Sequence, residues 1–244
     1  MNPLERVEAA AMASAVSLCG GRAAEVGGTR CFSHPALPTT ELNRAIPLSR
    51  DVDLDAIAAW FDGVVHVVVV VPEQRPFEDA LAARRYEPVR SWMKFERGGE
   101  AAAMHETDLI VRETTDPEPF ALVTCEGYGL PDAARPVFAA LVGAPDWHCF
   151  VAWAGDEPAG AGALHLDGEA AWLGVGATRP QFRRRGAQAA VLAARIDAAR
   201  AAGATMLATE TGERVPDQPS TSYRNILRAG FREAYVRANW RSPT

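Results

Sequence analysis

Lysine is almost missing from this 244-residue chain: Lys94 is the only one, and the other basic residues are arginines. Acidic residues outnumber basic ones by 31 to 25, which gives a formal net charge of -6. Binding to the phosphate backbone of a nucleic acid needs a basic face. We therefore expect no nucleic-acid partner, and a neutral or cationic substrate suits the charge better.

Cysteines and histidines are also few, and neither type is clustered. The four cysteines form no C-x-x-C pair and show no metal-ligand spacing. We therefore expect no metal site and no redox dithiol. Reduced thiols are typical of an intracellular protein, so we predict a cytoplasmic location.

Long apolar runs are missing too, since none approaches the about 20 residues of a membrane span. We therefore expect no membrane association. The apolar run from Ala9 to Gly20 is preceded by Glu5 and Glu8, and apolar residues recur around it at helical spacing. This pattern predicts an amphipathic helix rather than a targeting segment. The residues of the apolar stripe are Leu4, Val7, Ala11, Ala15 and Leu18.

The first half of the chain predicts a small α/β domain over residues 1–100. Residues 64–71 are almost all valine and predict a strand buried on both faces. A helix over 76–85 and an edge-type strand over 86–97 follow. The small, polar residues 98–103 predict a linker.

The second half predicts a larger domain over residues 107–244. Helices are predicted at 118–126, 132–142, 186–202 and 220–229, and strands at 109–111, 149–153, 159–166, 170–178, 204–210 and 233–240. Gly203 stands where a left-handed helix cap is expected. The order strand, helix, strand near 64–97 resembles that near 204–240, which leaves a pseudo-repeat open.

A basic glycine loop lies between the predicted strand 170–178 and the helix that follows it. Three arginines precede Gly186, which would allow a ligand to approach the backbone closely. Because amides at a helix N-terminus stabilise anions, we expect a bound phosphate; a solvated basic helix start is the alternative. The chain has no nucleoside-triphosphate P-loop, and residues 174–179 lack the third glycine of a dinucleotide fingerprint.

Residues 107–244 resemble the GNAT superfamily of acyl-CoA-dependent N-acyltransferases, whose pyrophosphate motif is [Q/R]-x-x-G-x-[G/A]. Arg183 and Gly186 match this motif, whereas Gln188 replaces its last small residue. The resemblance implies an α/β (α+β) GNAT fold, with a mixed, mostly antiparallel central sheet flanked by helices. The smaller N-terminal unit over 1–100 would then be a degenerate GNAT-like domain.

The resemblance also implies acetyl-CoA as cosubstrate, and it assigns residues to the parts of that molecule. The pantetheine arm would lie along one strand edge, the phosphates on the loop, and the last helix would add one contact. These residues are Gly176, Ala177 and Thr178 for the arm, Arg183, Arg184, Arg185, Gly186, Ala187 and Gln188 for the phosphates, and Asn225 on the helix.

The implied reaction is transfer of the acetyl group to a primary amine, by direct attack through a tetrahedral intermediate. Because an alkylamine has a pKa near about 10, a base assists, and Glu126 is the first candidate, with Glu210 as another. Tyr223 and Tyr235 are candidates for protonating the leaving thiolate. The tyrosine that the family usually has four residues before its Gly-Phe pair is replaced here by Ile226.

Two readings of the function therefore stay open. The chain is an N-acetyltransferase, or it is a catalytically silent acyl-CoA-binding or sensing protein. An RNA-binding role for the three arginines is disfavoured by the net charge. The acceptor pocket of this superfamily comes from loops without a motif, so small-molecule, peptide and protein amines all fit, and no oligomeric state is indicated.

Overall fold

The computed structural model describes residues 2–34, 41–47, 52–102, 107–215 and 220–244. The end of the predicted linker, residue 103, lies outside them. Helices in the described residues are α1 Pro3–Leu18, α2 Leu54–Phe61, α3 Phe77–Ala83, α4 Pro117–Tyr128, α5 Arg135–Ala139, α6 Ala187–Ala201 and α7 Thr221–Arg228. Strands are β1 Arg22–Val26, β2 Thr29–Ser33, β3 Arg44–Pro47, β4 Val67–Val70, β5 Glu87–Gly98, β6 Ile110–Glu113, β7 Trp147–Ala154, β8 Glu157–Asp167, β9 Ala170–Thr178, β10 Met206–Gly212 and β11 Arg232–Arg241.

The chain divides into two compact units that are not consecutive segments. The first comprises Met1–Lys94, Glu210–Gln218 and Ala234–Thr244, and the second comprises Phe95–Thr209 and Pro219–Glu233. The strands β5, β10 and β11 therefore contribute residues to both units. The boundaries of these units differ from those of the segments 1–100 and 107–244 that the sequence suggests.

In the first unit, an antiparallel meander of β1, β2 and β3 leads to β4, which is parallel to β3. Both faces of this sheet are covered. Phe32, Ile46 and Val69 pack with residues of α1, whereas Cys31 and Val68 on the opposite face pack with residues of α2 and α3. The prediction of a valine strand buried on both faces is confirmed, although the strand is shorter than predicted.

The first three strands and α2 were not predicted, and local signals mark them. Gly27 and Gly28 both have positive φ, 52° and 71°, as the hairpin turn between β1 and β2 requires. Asp53 caps α2 by accepting hydrogen bonds from the amides of Asp55 and Ala56. The strands contain arginine, alanine and threonine, so they lack the alternation of apolar and polar residues that would have predicted a strand.

A buried network of charged side chains lies in the first unit. Glu8 of α1 accepts from Lys94 Nζ at 2.5 Å and from both terminal guanidinium nitrogens of Arg237 at 2.5 and 2.8 Å. Lys94 also donates to Glu210 at 2.8 Å, and Arg237 donates to Glu5 at 2.8 Å. With Arg44, which lies 3.4 Å from Glu8, the network contains three acidic and three basic side chains.

The electrostatics of this network favour the ionised forms of Glu8 and Lys94. Burial opposes ionisation of Glu8, but Arg237, Lys94 and Arg44 outweigh burial and hold the pKa of Glu8 below its ordinary value. Burial likewise opposes the charge of Lys94, yet Glu210 and Glu8 raise its pKa. Glu210 has a raised pKa because of burial and the neighbouring charge of Glu8.

The network corrects one sequence prediction. The strand β5 is not an edge strand, because β11 and β10 lie on either side of it. Its alternating charges suggested solvent, but Lys94 is fully buried in the ion network and Arg97 is buried with its guanidinium donating to the carbonyl of Ala229 at 2.6 Å. Charged side chains can be buried when they have well-placed partners, so Lys94 and Arg97 depart from the general rule that charged residues lie at the surface.

In the second unit, β6 and β7, β7 and β8, and β8 and β9 are antiparallel neighbours, and β10 is parallel to β9. The helix α6 joins the parallel pair, and Gly203 after it has φ 87°, which confirms the predicted cap. Glycines allow α6 to pack closely on β8: a Cβ at Gly160 would lie 2.8 Å from that of Ala187, and one at Gly162 would lie 2.8 Å from Val191 Cγ1.

We expect Lys94→Met to destabilise the protein by about 3–5 kcal/mol, because the carboxylates of Glu8 and Glu210 lose their shared ammonium. Adding Glu210→Gln restores the charge balance and should recover at least about 1 kcal/mol. Urea unfolding measures both variants. Arg84→Met, which breaks a surface pair with Asp55, is the control and should change the urea midpoint little. A double variant no more stable than Lys94→Met would contradict the pairing.

Candidate functional site

The end of β9 is an open strand edge. The parallel pairing with β10 runs from Ala170 with Met206 to Trp172 with Ala208. Thr209 Oγ1 then donates to the carbonyl of Leu173 at 2.7 Å. On the other edge, Gly174, Ala177 and Thr178 pair with β8. The backbone beyond Leu173 therefore faces a gap in the ladder on the β10 side.

A β-bulge lies in this same part of β9. Ala161 pairs with Ala177 and Ala163 pairs with Gly174, so two residues of β9 lie opposite one residue of β8. Val175, one of the two, has φ 52°, a left-handed conformation that is strained for a β-branched residue. A bulge bends and twists its strand, so it redirects the backbone of Gly176, Ala177 and Thr178.

The basic loop ends at the N-terminus of α6, as predicted. Arg184 and Gly186 both have positive φ, 66° and 83°. Gly186 is the N-cap residue and, having no side chain, provides no cap for the first-turn amides. These amides and the helix dipole favour an anion at this position.

The arginines of the loop make contacts that hold the loop in place. Arg185 is paired with Asp108, and hydrogen bonding from Arg185 lowers the pKa of that carboxyl group. Arg183 Nη2 donates to the carbonyl of Gly127 in α4 at 3.5 Å. Arg184 is exposed to solvent. The loop thus carries positive charge at its surface.

Gln188 has a role that the sequence did not reveal. Its side-chain amide donates to Ser222 Oγ at 2.9 Å and accepts from Asn225 Nδ2 at 2.8 Å. Both partners lie on α7, so Gln188 connects the start of α6 to α7. The side chain that departs from the family motif is therefore directed at a neighbouring helix, and its backbone amide still belongs to the first turn of α6.

The candidate catalytic residues lie in different places. Glu126 at the end of α4 accepts from Arg179 Nε at 2.7 Å. Tyr223 is buried on α7 and donates to Glu233 at 2.6 Å. Tyr235 lies in the first unit and donates to Glu5 at 2.8 Å; burial and that carboxylate raise its pKa strongly.

Comparison with known proteins bears on this geometry. Residues 109–220 match the family described as the acetyltransferase (GNAT) family. Those residues form a GNAT acetyltransferase domain. None of the curated proteins compared with the chain matches it. The implied activity is acyl transfer from acyl-CoA, and acetyl-CoA is the cosubstrate of GNAT acetyltransferases.

Solved structures confirm the GNAT fold for the mixed, mostly antiparallel sheet flanked by helices. A GCN5-related N-acetyltransferase from Kribbella flavida is similar with a TM-score of 0.67 and 15% identity, covering 100% of this chain and 97% of the other. One from Sphaerobacter thermophilus has a TM-score of 0.66 and 13% identity, covering 88% and 80%. A tandem GNAT protein from the clavulanic acid biosynthesis pathway has a TM-score of 0.59 and 14% identity, covering 90% and 80%.

Two backbone features of the GNAT domain lie close together in the sequence. The end of β9, residues 176–178, has no ladder partner in β10, and the first-turn amides of α6 have no side-chain cap. Within the described residues, no group of three or more His, Cys, Asp or Glu side chains is arranged to hold a metal ion. No described helix is long and apolar enough to cross a membrane.

We expect Gln188→Ala to lower the free energy of unfolding by about 1–2 kcal/mol, because two hydrogen bonds to α7 are lost. Affinity for acetyl-CoA should change by less than about threefold, since the backbone amide is retained. Thermal unfolding and calorimetric titration measure the two effects. Gln181→Ala, an exposed residue of the preceding turn, serves as the control. A large loss of affinity with unchanged stability would show instead that the side chain contacts the ligand.

Proposed function

We propose that this protein is an acetyl-CoA-dependent N-acetyltransferase that transfers the acetyl group to a primary amine of a small molecule, peptide or protein. The observation that carries the proposal is the uncapped N-terminus of α6 beside the open end of β9. One site binds phosphate and the other binds an extended amide-containing arm, and CoA contains both. In the reaction, the amine nitrogen bonds to the acyl carbon, the carbon–sulfur bond breaks, and CoA leaves as a thiol.

Each part of the GNAT domain has a role in this proposal. The amides of residues 183–188 bind the pyrophosphate, and Arg184, which is exposed, reaches the 3′-phosphate with a planar guanidinium group. Arg185 joins it by exchanging its partner Asp108 for phosphate. Residues 176–178 align the pantetheine arm, and a backbone amide near Ala177 stabilises the oxyanion. Asn225 supports this arrangement through Gln188.

For the base we propose Glu126. It precedes Gly127, whose missing side chain lets α4 approach the end of β9: a Cβ there would lie 2.9 Å from the amide nitrogen of Thr178. The carboxylate is partly exposed, and Arg179 binds its Oε2 atom and holds the side chain in place. In this proposal the carboxylate accepts a proton from the incoming amine, directly or through water.

For the acid we propose Tyr223 rather than Tyr235. A proton donor to a thiolate works best when its pKa lies near that of the thiol. The strongly raised pKa of Tyr235 makes its hydroxyl a poor donor, and its hydrogen bond to Glu5 belongs to the ion network of the first unit. Tyr223 is on α7, the helix that Gln188 connects to the phosphate loop.

A specific observation favours the second candidate function, a silent acyl-CoA-binding protein. Ile226 is buried at the position of the tyrosine usual in the family, and the hydroxyl of Tyr223 is already bonded to Glu233. A chain without a proton donor would bind acyl-CoA and not turn it over. Thiol release from acetyl-CoA across a panel of amines separates the two functions, since binding without release from any amine would favour the silent protein.

We further propose that the first unit is a degenerate GNAT-like domain without a cofactor site. Its meander followed by a parallel pair repeats the arrangement of β7 to β10. Asp53 caps α2, so a carboxylate occupies the place where a phosphate would bind, in contrast to Gly186 before α6. The similarity to a tandem GNAT protein supports this proposal.

We expect Gly186→Glu to abolish the thermal stabilisation of the protein by acetyl-CoA, because it places a carboxylate and a Cβ at a left-handed position beside the phosphate. Thiol release should fall by at least about 100-fold. Gly155→Glu, a hairpin glycine with φ 61° and open space around it, is the matched control and should keep both properties. The cofactor assignment fails if wild-type protein shows no shift with acetyl-CoA, or if Gly186→Glu behaves like its control.

A further inference from the structure

Arg195 is a buried arginine on α6 that the proposed mechanism does not use. Its side chain is only 4% exposed. Within the described chain, the hydrogen bonds of its guanidinium go to backbone carbonyls: Nη1 donates to Ala163 at 3.0 Å and to Gly174 at 2.8 Å, and Nε donates to Val191 at 3.3 Å. Burial lowers its pKa to about 10, so the group is still charged at neutral pH.

The two carbonyls that share Nη1 lie at the bulge of β9. Ala163 and Gly174 form the last regular pair before the register shift, and Val175 follows with its left-handed φ. A single nitrogen therefore holds together the two strands at the point where the extra residue is inserted. The strained conformation of Val175 persists only if its surroundings fix it.

Gly162 makes room for the guanidinium on this face of the sheet, and Gly176 lies close to it. A Cβ at Gly162 would lie 2.8 Å from Arg195 Cζ, and one at Gly176 would lie 3.6 Å from Nη2. Gly176 is the first residue of the strand end assigned to the pantetheine arm. Arg195 thus binds the carbonyl of Gly174, and its Nη2 lies close to Gly176 on the other side of Val175.

A buried charge needs a reason, because taking a guanidinium out of water costs several kcal/mol unless it is well paired. Three backbone hydrogen bonds offset part of this cost, but a methionine of similar length would fill the space without it. An apolar side chain could not bind Ala163 and Gly174 together. What the arginine adds at this position is the pair of hydrogen bonds that joins Ala163 to Gly174 at the bulge.

We propose that Arg195 is a positioning residue that fixes the β9 bulge, so that the backbone of residues 176–178 presents its hydrogen-bonding groups to the pantetheine arm. This inference rests on the proposed acyl-CoA function. It distinguishes two parts of the ligand, because the phosphate loop has contacts of its own, from Arg183 to Gly127 and from Arg185 to Asp108.

The test compares two ligands on one variant. For Arg195→Met, we expect the dissociation constant of acetyl-CoA to rise at least about tenfold, because hydrogen bonds along the strand edge are lost. The dissociation constant of adenosine 3′,5′-bisphosphate, which lacks the arm, should change by less than about threefold. Calorimetric titration gives both values. Arg200→Met, on an exposed face of the same helix, is the control and should alter neither.

The outcomes separate the failure of this inference from that of the function. Wild-type protein that binds neither ligand overturns the acyl-CoA function itself. Wild-type binding with equal weakening of both ligands in Arg195→Met, or with no weakening, overturns the positioning role alone. If Arg195→Met does not fold, Arg195→Lys, which keeps the charge but loses the planar fork, should show the same selective loss for acetyl-CoA. Equal affinities of the lysine variant and wild type for acetyl-CoA would overturn the role as well.

Discussion

One extra residue in β9 is the constraint on which the second unit depends. It sets Val175 in a left-handed conformation and turns the strand after the last pair with β10. A regular strand paired with β10 along its whole length would have placed its backbone groups in ladder hydrogen bonds. The bent strand instead leaves part of its edge without a ladder partner, and backbone groups without partners are the usual means by which a sheet binds an extended ligand.

The two units solve the problem of buried charge in different ways. In the first, three acids and three bases neutralise one another around Glu8, with Arg44 and Arg237 also stacked near Trp92. In the second, Arg195 has backbone carbonyls as its hydrogen-bond partners. A balanced network satisfies its own members, whereas a lone guanidinium bound to carbonyls fixes the backbone around it.

The sequence predicted the second unit far better than the first. The strand β9 has the bounds that the pattern indicated, and α6 ends shortly before the predicted glycine cap, because valine, leucine and glycine mark those elements locally. In the first unit, Glu8 lies at helical spacing from Leu4 and Ala15 and so belongs to the apolar face of α1. This position was the only sequence feature that indicated a buried acid. Its partners Lys94 and Arg237 are distant in the chain, so no local pattern connects them.

The site itself could be predicted only where its chemistry is local. A glycine before a helix and a basic loop are visible in the sequence, and they led to the family. The bulge was hidden, since a valine does not signal a positive φ. The partners of Gln188 and Glu126 depend on which helix packs beside the loop, and the packing of α7 and α4 follows from the tertiary fold.

The burial of Lys94 has a practical consequence for a protein proposed to acetylate amines. The only ε-amino group of the chain is fully buried and held by two carboxylates, so it is neither accessible nor in the neutral form that reacts with a thioester. The folded protein therefore adds no acetyl-lysine signal of its own to a lysine-directed proteomic experiment. Every acetyl-lysine that appears in a reaction mixture belongs to the acceptor.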